Sequence, residues 1–210
     1  MIEQLFKEIL AKYTNNESEV TLLWNSIVNH YTSAPRHYHT IQHLDHLISE
    51  LLPVQPQIKD WDILVLAIVY HDVIYNVLKH NNEEESAMYA QKELAAILHT
   101  EQLEQLSRFI MATASHSKSI DTDINYFTDA DLSILGAGSD NYLLYTEQIR
   151  KEYRCYPDAV YKRGRLKVVA HFLQMDQIYK TRYFADKYEQ QARINLMQEF
   201  ERLAGKAYIA

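Results

Sequence analysis

The chain has 210 residues, a formal net charge of −7 and a hydrophobic content of 47%. This length suits one domain with a substantial core, and the acidic balance argues against a nucleic-acid surface, which normally needs a basic patch. A small anionic substrate is still compatible with this charge, because a bound metal ion reverses the local field.

Cysteine usage and hydropathy indicate the compartment. Cys155 is the only cysteine, so no internal disulfide can form, and a reducing, cytoplasmic location is expected. The N-terminal stretch places Glu3 and Glu8 among apolar residues, which is typical of an amphipathic helix and not of a secretory signal. The apolar runs are far shorter than a membrane span, so no membrane partner is expected.

The chain contains only four glycines and four prolines, which leaves long stretches for helices. Apolar residues recur at helical spacing in most of these stretches. The predicted helices cover 2–10, 20–31, 38–52, 63–72, 83–99, 101–116, 127–136, 139–153, 157–175 and 184–203. Between them, 32–35 reads as a connector, 73–80 as a turn region and 117–125 as an irregular polar segment. We predict one all-α domain over 1–210, a helical bundle.

The segment Ile63–Asn76, ILVLAIVYHDVIYN, carries adjacent His71 and Asp72 near its end. The spacing of the apolar residues alone would also allow a buried strand. No other segment offers a convincing partner strand, so a helix is favoured. Charged and imidazole groups are costly in apolar surroundings unless they are paired. A divalent metal ion is one such partner, because it binds both side-chain types.

Further candidate ligands lie on separate predicted helices. His39 and His43 are four positions apart, which puts them on one face of a helix. Asp131 lies in the stretch FTDADL, and His116 ends an earlier apolar pattern. Brought together in a bundle core, these side chains make a mixed nitrogen and oxygen site for a divalent ion.

Each feature alone has a simpler explanation. A His-Asp dipeptide is common, two histidines four apart can be a surface pair, and Asp131 can cap a helix. The metal-site hypothesis depends on their order along the chain, their apolar flanks and their placement on separate helices.

The order His43, then His71 and Asp72, then Asp131 resembles the HD-domain superfamily of metal-dependent phosphohydrolases. The strings ARHYHTIQHLDHL, LAIVYHDVIYN, NEEESA, ATASHS and FTDADLSILG are similar to a branch of bacterial HD phosphohydrolases of about this length. The resemblance covers most of the chain. It implies an all-helical HD-type bundle in which these four residues bind the metal.

The segment YHTIQHL also resembles the YHNxxHA segment of cyclic-nucleotide phosphodiesterases within the superfamily. That resemblance implies that His39 is a proton donor and His43 a metal ligand. Thr40 and Leu44 stand where that segment has Asn and Ala. A purely structural hydrogen bond of His39 beside the site is the alternative.

The resemblance also ranks the other candidates. Asp131 is preferred to Asp129, because family members place the ligand in an Ala-Asp-x-Leu context, and Asp129 is expected to cap the short helix. Some branches hold a second metal with two further histidines. His116 is a candidate for one of them. The other histidine is expected just before Ser86, where acidic residues around Glu84 stand instead; these are candidates for a metal or substrate contact. One firmly held ion is therefore expected, with a second metal as an open alternative.

The implied chemistry is hydrolysis of a phosphate ester or phosphoanhydride. The ion (Mn, Mg, Fe, Co, Ni or Zn) lowers the pKa of a bound water, Asp72 helps to orient this water, and His39 protonates the leaving oxygen. Arg36 is a candidate phosphate clamp; a salt bridge that closes the connector is the alternative. The expected partner is a small phosphorylated substrate, such as a nucleotide. A metal-dependent oxygenase on the same scaffold and a non-catalytic nucleotide-binding module are the competing functions.

Overall fold

The computed structural model describes residues 1–33 and 35–205; Ala34, in the predicted connector, lies outside this part. The described residues are all-α, as predicted, and contain no strand. The helices are α1 Ile2–Leu10, α2 Glu17–Thr32, α3 Ile41–Leu51, α4 Trp61–Tyr70, α5 Asn82–Leu94, α6 Thr100–Ala112, α7 Thr122–Asp131, α8 Ser139–Glu152, α9 Asp158–Gln174 and α10 Arg182–Ala204. Short 3-10 segments follow α3 at Leu52–Gln57 and α7 at Leu132–Gly136.

The helices form two compact units, Met1–Ala130 and a second that begins at Asp131. The boundary falls at the last residue of α7, so the helix that carries Asp131 belongs otherwise to the first unit. The single domain over 1–210 stays a prediction. None of the described helices combines the length and the apolar composition that crossing a membrane requires.

Helix α4 lies at the centre of the first unit. All residues from Ile63 to Tyr70 are buried, which is the pattern of a helix surrounded by packed neighbours. The helix begins after Asp60, whose Oδ1 accepts a hydrogen bond from the Ile63 N–H at 3.1 Å. Asp62 instead pairs with the Lys12 ammonium at 2.7 Å. The predicted buried helix is therefore confirmed, with Asp60 as its N-terminal cap.

Several helix boundaries differ from the prediction, among them the end of α6 at Ala112 and not near 116. Helix α3 begins at Ile41 and not near residue 38, and α5 ends at Leu94 and not near 99. Helix α7 begins at Thr122, inside the stretch predicted to be irregular. The Asp121 carboxylate explains this early start, because it accepts a hydrogen bond from the Asp123 N–H at 3.0 Å and so satisfies a donor that the first helical turn leaves open.

In the second unit, α10 packs along the 3-10 segment that follows Asp131. The Asn195 side-chain amide donates hydrogen bonds to Leu135 O at 2.9 Å and to Ala137 O at 2.7 Å. The Tyr179 hydroxyl donates to Leu132 O at 2.9 Å. These bonds satisfy carbonyls that the short segment leaves without helical partners.

The ends of the last three helices are set by small or rigid residues. Gly138 occupies the N-cap of α8, and Pro157 occupies the N-cap of α9. Gly205 follows α10 with a φ of 74°, in the left-handed region. Glycine adopts this conformation without a steric penalty.

The contact between Gly136 and α10 leads to a stability prediction. A Cβ at Gly136 would lie 2.6 Å from Tyr188 Cβ and 2.7 Å from Tyr188 O, so Gly136→Ala should reduce the free energy of unfolding by about 1–3 kcal/mol. Gly164 lies inside α9 with nothing within 4 Å of such a Cβ, so Gly164→Ala should raise that free energy by about 0.5–1 kcal/mol. Urea unfolding measures both. Changes of the same sign would contradict the close approach at Gly136.

Candidate metal centre

His71 directly follows the last residue of α4 and is buried, with 1% of its surface exposed. Its Nδ1 lies 2.9 Å from Ile68 O. A carbonyl oxygen can only accept, so Nδ1 carries a proton and Nε2 is the ring nitrogen that can bind a metal ion. A metal-binding histidine is usually oriented in this way, by a hydrogen bond from the ring nitrogen that does not bind the metal.

His43 is the third residue of α3 and is also buried. The apolar face of the helix, with Leu44, Leu47 and Ile48 in the core, fixes its rotation about its axis. His43 Nε2 lies 3.4 Å from His71 Nε2. Two histidine nitrogens therefore face each other in a buried setting.

Asp131, the last residue of α7, completes the group. One ligand atom from each of His43, His71 and Asp131 lies within 4.8 Å of the other two. Two nitrogens bound to one ion at about 2.1 Å each, with about 110° between the bonds, are about 3.4 Å apart. The separation of the two Nε2 atoms matches this spacing, so the two imidazoles fit a single divalent ion, and the Asp131 carboxylate adds an oxygen donor of suitable chemistry.

Asp72 lies beside the same group. Its Oδ2 is 3.1 Å from His71 Nε2 and 3.8 Å from His39 Nε2. The side chain is 15% exposed, whereas His71 is 1% exposed. The carboxylate therefore joins the buried donors to a more open edge, where a water molecule or substrate can approach. An oxygen at this position can ligate an ion or hold a water next to it.

His39 lies before α3 and not on it, because the helix begins after Thr40. The prediction that His39 and His43 share a helical face is therefore wrong, although their rings are still 5.8 Å apart. The His39 ring stacks at 4.3 Å and 32° on Tyr75. Its side chain is 18% exposed. His39 is thus placed at the open edge of the donor group, next to Asp72.

Arg36 has its guanidinium on backbone carbonyls. Nη1 donates to Asp72 O at 2.7 Å and His39 O at 3.2 Å, and Nη2 donates to Val73 O at 2.9 Å. These contacts form a structural bridge to backbone carbonyls. The salt bridge given as the alternative would require a carboxylate instead. The phosphate clamp stays a prediction.

The remaining candidates lie outside the donor group that the described residues form. His116 follows α6, is half-buried and has a φ of 50°, so it lies outside the helix that was predicted to end with it. Glu84 lies exposed in the first turn of α5. Asp129 is fully buried within α7 and caps no helix, so the predicted capping role is wrong.

Asp123 supports the site from a distance and was not predicted. Its Oδ2 accepts hydrogen bonds from the N–H groups of Lys59 and Asp60, each at 2.9 Å. This ties the start of α7 to the start of α4. Each helix has 10 residues, about 15 Å, and each delivers a donor at its far end, Asp131 or His71. The sequence signal for the start of α7 was an aspartate, Asp123, in the first helical turn, two residues after Asp121.

Tyr126 strengthens the same tie. Its hydroxyl donates to Gln57 Oε1. Burial raises the pKa of Tyr126, and the negative charges of Asp129 and Asp123 raise it further. The hydroxyl therefore stays protonated and can act as the donor across the ordinary pH range.

The fold and the site define an all-α protein with a candidate centre for a divalent ion. A search against protein-family models, the curated proteins and the solved structures found no match. The metal centre therefore rests on the geometry of its own residues.

Proposed function

We propose that the chain is a metal-dependent phosphohydrolase of the HD superfamily, acting on a phosphate ester or phosphoanhydride of a small metabolite such as a nucleotide. The observation that carries the proposal is the convergence of His43, His71 and Asp131 within 4.8 Å. These residues occur in the order of the HD motif, and Asp72 lies 3.1 Å from His71 Nε2.

The roles of the protein groups follow from their positions. His43, His71, Asp72 and Asp131 would hold the ion, which supplies Lewis acidity toward a water and a phosphate oxygen when bound. Asp72, at the more open edge, accepts a hydrogen bond from the attacking water and orients it. His39, whose Nε2 is 3.8 Å from Asp72 Oδ2, donates a proton to the leaving oxygen as the bond between that oxygen and phosphorus breaks.

The first test is metal-dependent turnover. Chelator-treated protein is incubated with phosphate monoesters, nucleotides and cyclic dinucleotides, with and without Mn²⁺, Mg²⁺, Fe²⁺, Co²⁺, Ni²⁺ or Zn²⁺. We expect hydrolysis that requires an added ion. Thermal stabilisation by nucleotides without turnover would instead indicate a binding module, and oxygen consumption with iron would indicate an oxygenase.

The role of His39 provides a matched variant. An alkyl phosphate has a poor leaving group that needs a proton, whereas p-nitrophenolate leaves without one. His39→Asn should therefore lower the turnover of alkyl phosphates by about 10²–10³-fold and that of p-nitrophenyl phosphate much less. His37→Asn, at an exposed position two residues earlier, is the control. Equal losses for both esters would argue against a proton donor.

A further inference from the structure

We propose that Arg36 is a positioning residue that sets His39 against Asp72, by binding the backbone of both residues at once. The functional part of this inference rests on the proposed phosphohydrolase activity. Its structural part concerns two segments that are far apart in sequence: the stretch before α3, which carries His39, and the loop after α4, which carries Asp72.

The hydrogen bonds of Arg36 span both segments. Nη1 reaches Asp72 O at 2.7 Å and His39 O at 3.2 Å, and Nη2 reaches Val73 O at 2.9 Å. Bonds from a charged donor are stronger than neutral ones. The planar guanidinium presents its N–H groups in a fixed fork. The bridge therefore constrains the distance and the relative orientation of the two backbones.

Aromatic rings hold the guanidinium in place. Its Cζ lies 4.7 Å from the centre of the Tyr31 ring and 5.3 Å from that of Tyr75, in the range of cation–π attraction. Tyr31 is itself fixed, because it is buried and its hydroxyl donates to Val69 O on α4 at 3.1 Å. Arg36 is thus anchored to the helix that precedes His71.

Tyr75 extends the contact to the His39 side chain. One ring, that of Tyr75, lies under the Arg36 guanidinium and also stacks on the His39 imidazole at 4.3 Å. Ser86 holds the neighbouring backbone, because its hydroxyl accepts from the Ile74 N–H at 3.1 Å. His39 is therefore constrained through its carbonyl by Arg36 and through its ring by Tyr75. These two constraints together place His39 Nε2 3.8 Å from Asp72 Oδ2.

A positioning role and a phosphate clamp predict different kinetics. Loss of a group that aligns catalytic side chains lowers kcat, whereas loss of a direct substrate contact weakens binding of substrate and product. Arg36→Lys keeps the charge and most of the stem but loses the fork, so it serves as the variant that preserves the fold. Arg36→Ala removes the bridge entirely. Arg108→Ala, at an exposed position on α6, is the control.

The experiment combines kinetics with hydrogen exchange of the metal-free protein. Both Arg36 variants should exchange the amides of 37–40 and 72–75 faster than wild type. With the ion and an alkyl phosphate, kcat of Arg36→Ala should fall about a hundredfold, with KM and the inhibition constant of inorganic phosphate changed less than about threefold. Metal content and the Arg108→Ala protein should match wild type.

Two results would overturn the inference. One is unchanged exchange in both segments. The other is a joint rise of KM and of the phosphate inhibition constant at constant kcat, which would make Arg36 a phosphate ligand. If wild type itself turned over no phosphate compound with any ion, the proposed function would fail. The exchange of the metal-free variants would still decide whether Arg36 bridges the two segments.

Discussion

Replacing His71 with glutamine should weaken binding of the divalent ion by about a hundredfold or more, because it removes a ligand and not merely its support. The His71 ring is held from behind by Ile68 O at 2.9 Å, and its Nε2 lies 3.4 Å from that of His43. A glutamine amide cannot present a nitrogen lone pair at this point. Titration calorimetry of the chelator-treated proteins measures the change.

Thermal unfolding offers a second readout of the same prediction. An ion at 100 times its dissociation constant stabilises a folded protein by about 2.7 kcal/mol, so added metal should raise the melting temperature of wild type. The increase should be lost in His71→Gln and in Asp131→Asn, which changes a less buried ligand and disturbs the core less.

The control for this experiment is His171→Gln. His171 is exposed on α9, so this variant should bind the ion as wild type does. Wild-type metal affinity in His71→Gln would contradict the ligand assignment. A loss of affinity in the His171 variant would show that the titration reports adventitious binding.

The helices could be predicted from the sequence, because they depend on local patterns. The candidate ligands could be chosen by residue type and by their order along the chain. The buried run Ile63–Tyr70 is readable from its apolar residues, and the lack of a convincing partner strand favours a helix there. The start of α7 was missed because three of the four residues in its first turn are polar. Asp123 finds its partners, the N–H groups of Lys59 and Asp60, 64 and 63 residues away.

The role of Arg36 shows a different limit. Its acceptors are the carbonyl oxygens of His39, Asp72 and Val73, which every residue type carries and which therefore leave no sequence signal. An arginine next to a metal motif suggests a phosphate ligand by residue type alone. Only the packing of the stretch before α3 against the loop after α4 reveals the backbone contacts.

The environment of Arg165 shows the same limit. In the sequence it belongs to a locally basic stretch with Lys162 and Arg163, which is typical of a solvated helix face. The structure buries it in the second unit, where Nε and Nη2 pair with the two carboxylate oxygens of Glu199 at 2.9 Å and 3.0 Å. The side chains are only 8% and 2% exposed. The partner on α10 is 34 residues away in the chain, beyond the reach of any local pattern.

Removing one member of this buried pair should strongly destabilise the protein. Glu199→Ala should lower the free energy of unfolding by about 3–5 kcal/mol, because it leaves the Arg165 charge buried without a counter-ion. Burial alone would lower the pKa of Arg165, but Tyr145 and Glu199 raise it overall, so the guanidinium stays charged. Tyr142, whose hydroxyl donates to Glu199 Oε2 at 2.5 Å, also loses its acceptor.

The double variant Arg165→Met, Glu199→Leu separates the cost of an unpaired charge from the value of the pair. Apolar residues of similar volume avoid the desolvation that both charges suffer, so this variant should be clearly more stable than Glu199→Ala. It should lose only about 1–3 kcal/mol relative to wild type, because the Tyr142 hydroxyl still lacks its acceptor. Urea unfolding of wild type, the single variant and the double variant measures the difference. A double variant as unstable as Glu199→Ala would contradict the argument.

An exposed ion pair provides the matched comparison. Arg182 and Asp186 lie one turn apart on α10 at 3.4 Å, with side chains 94% and 71% exposed. Water screens such a pair, so Asp186→Ala should change the free energy of unfolding by less than about 1 kcal/mol. The contrast with Glu199→Ala on the same helix isolates burial as the cause, since both substitutions remove one carboxylate from an arginine. A large effect at Asp186 would mean that α10 tolerates no substitution, and the effect at Glu199 could then not be assigned to the stranded charge.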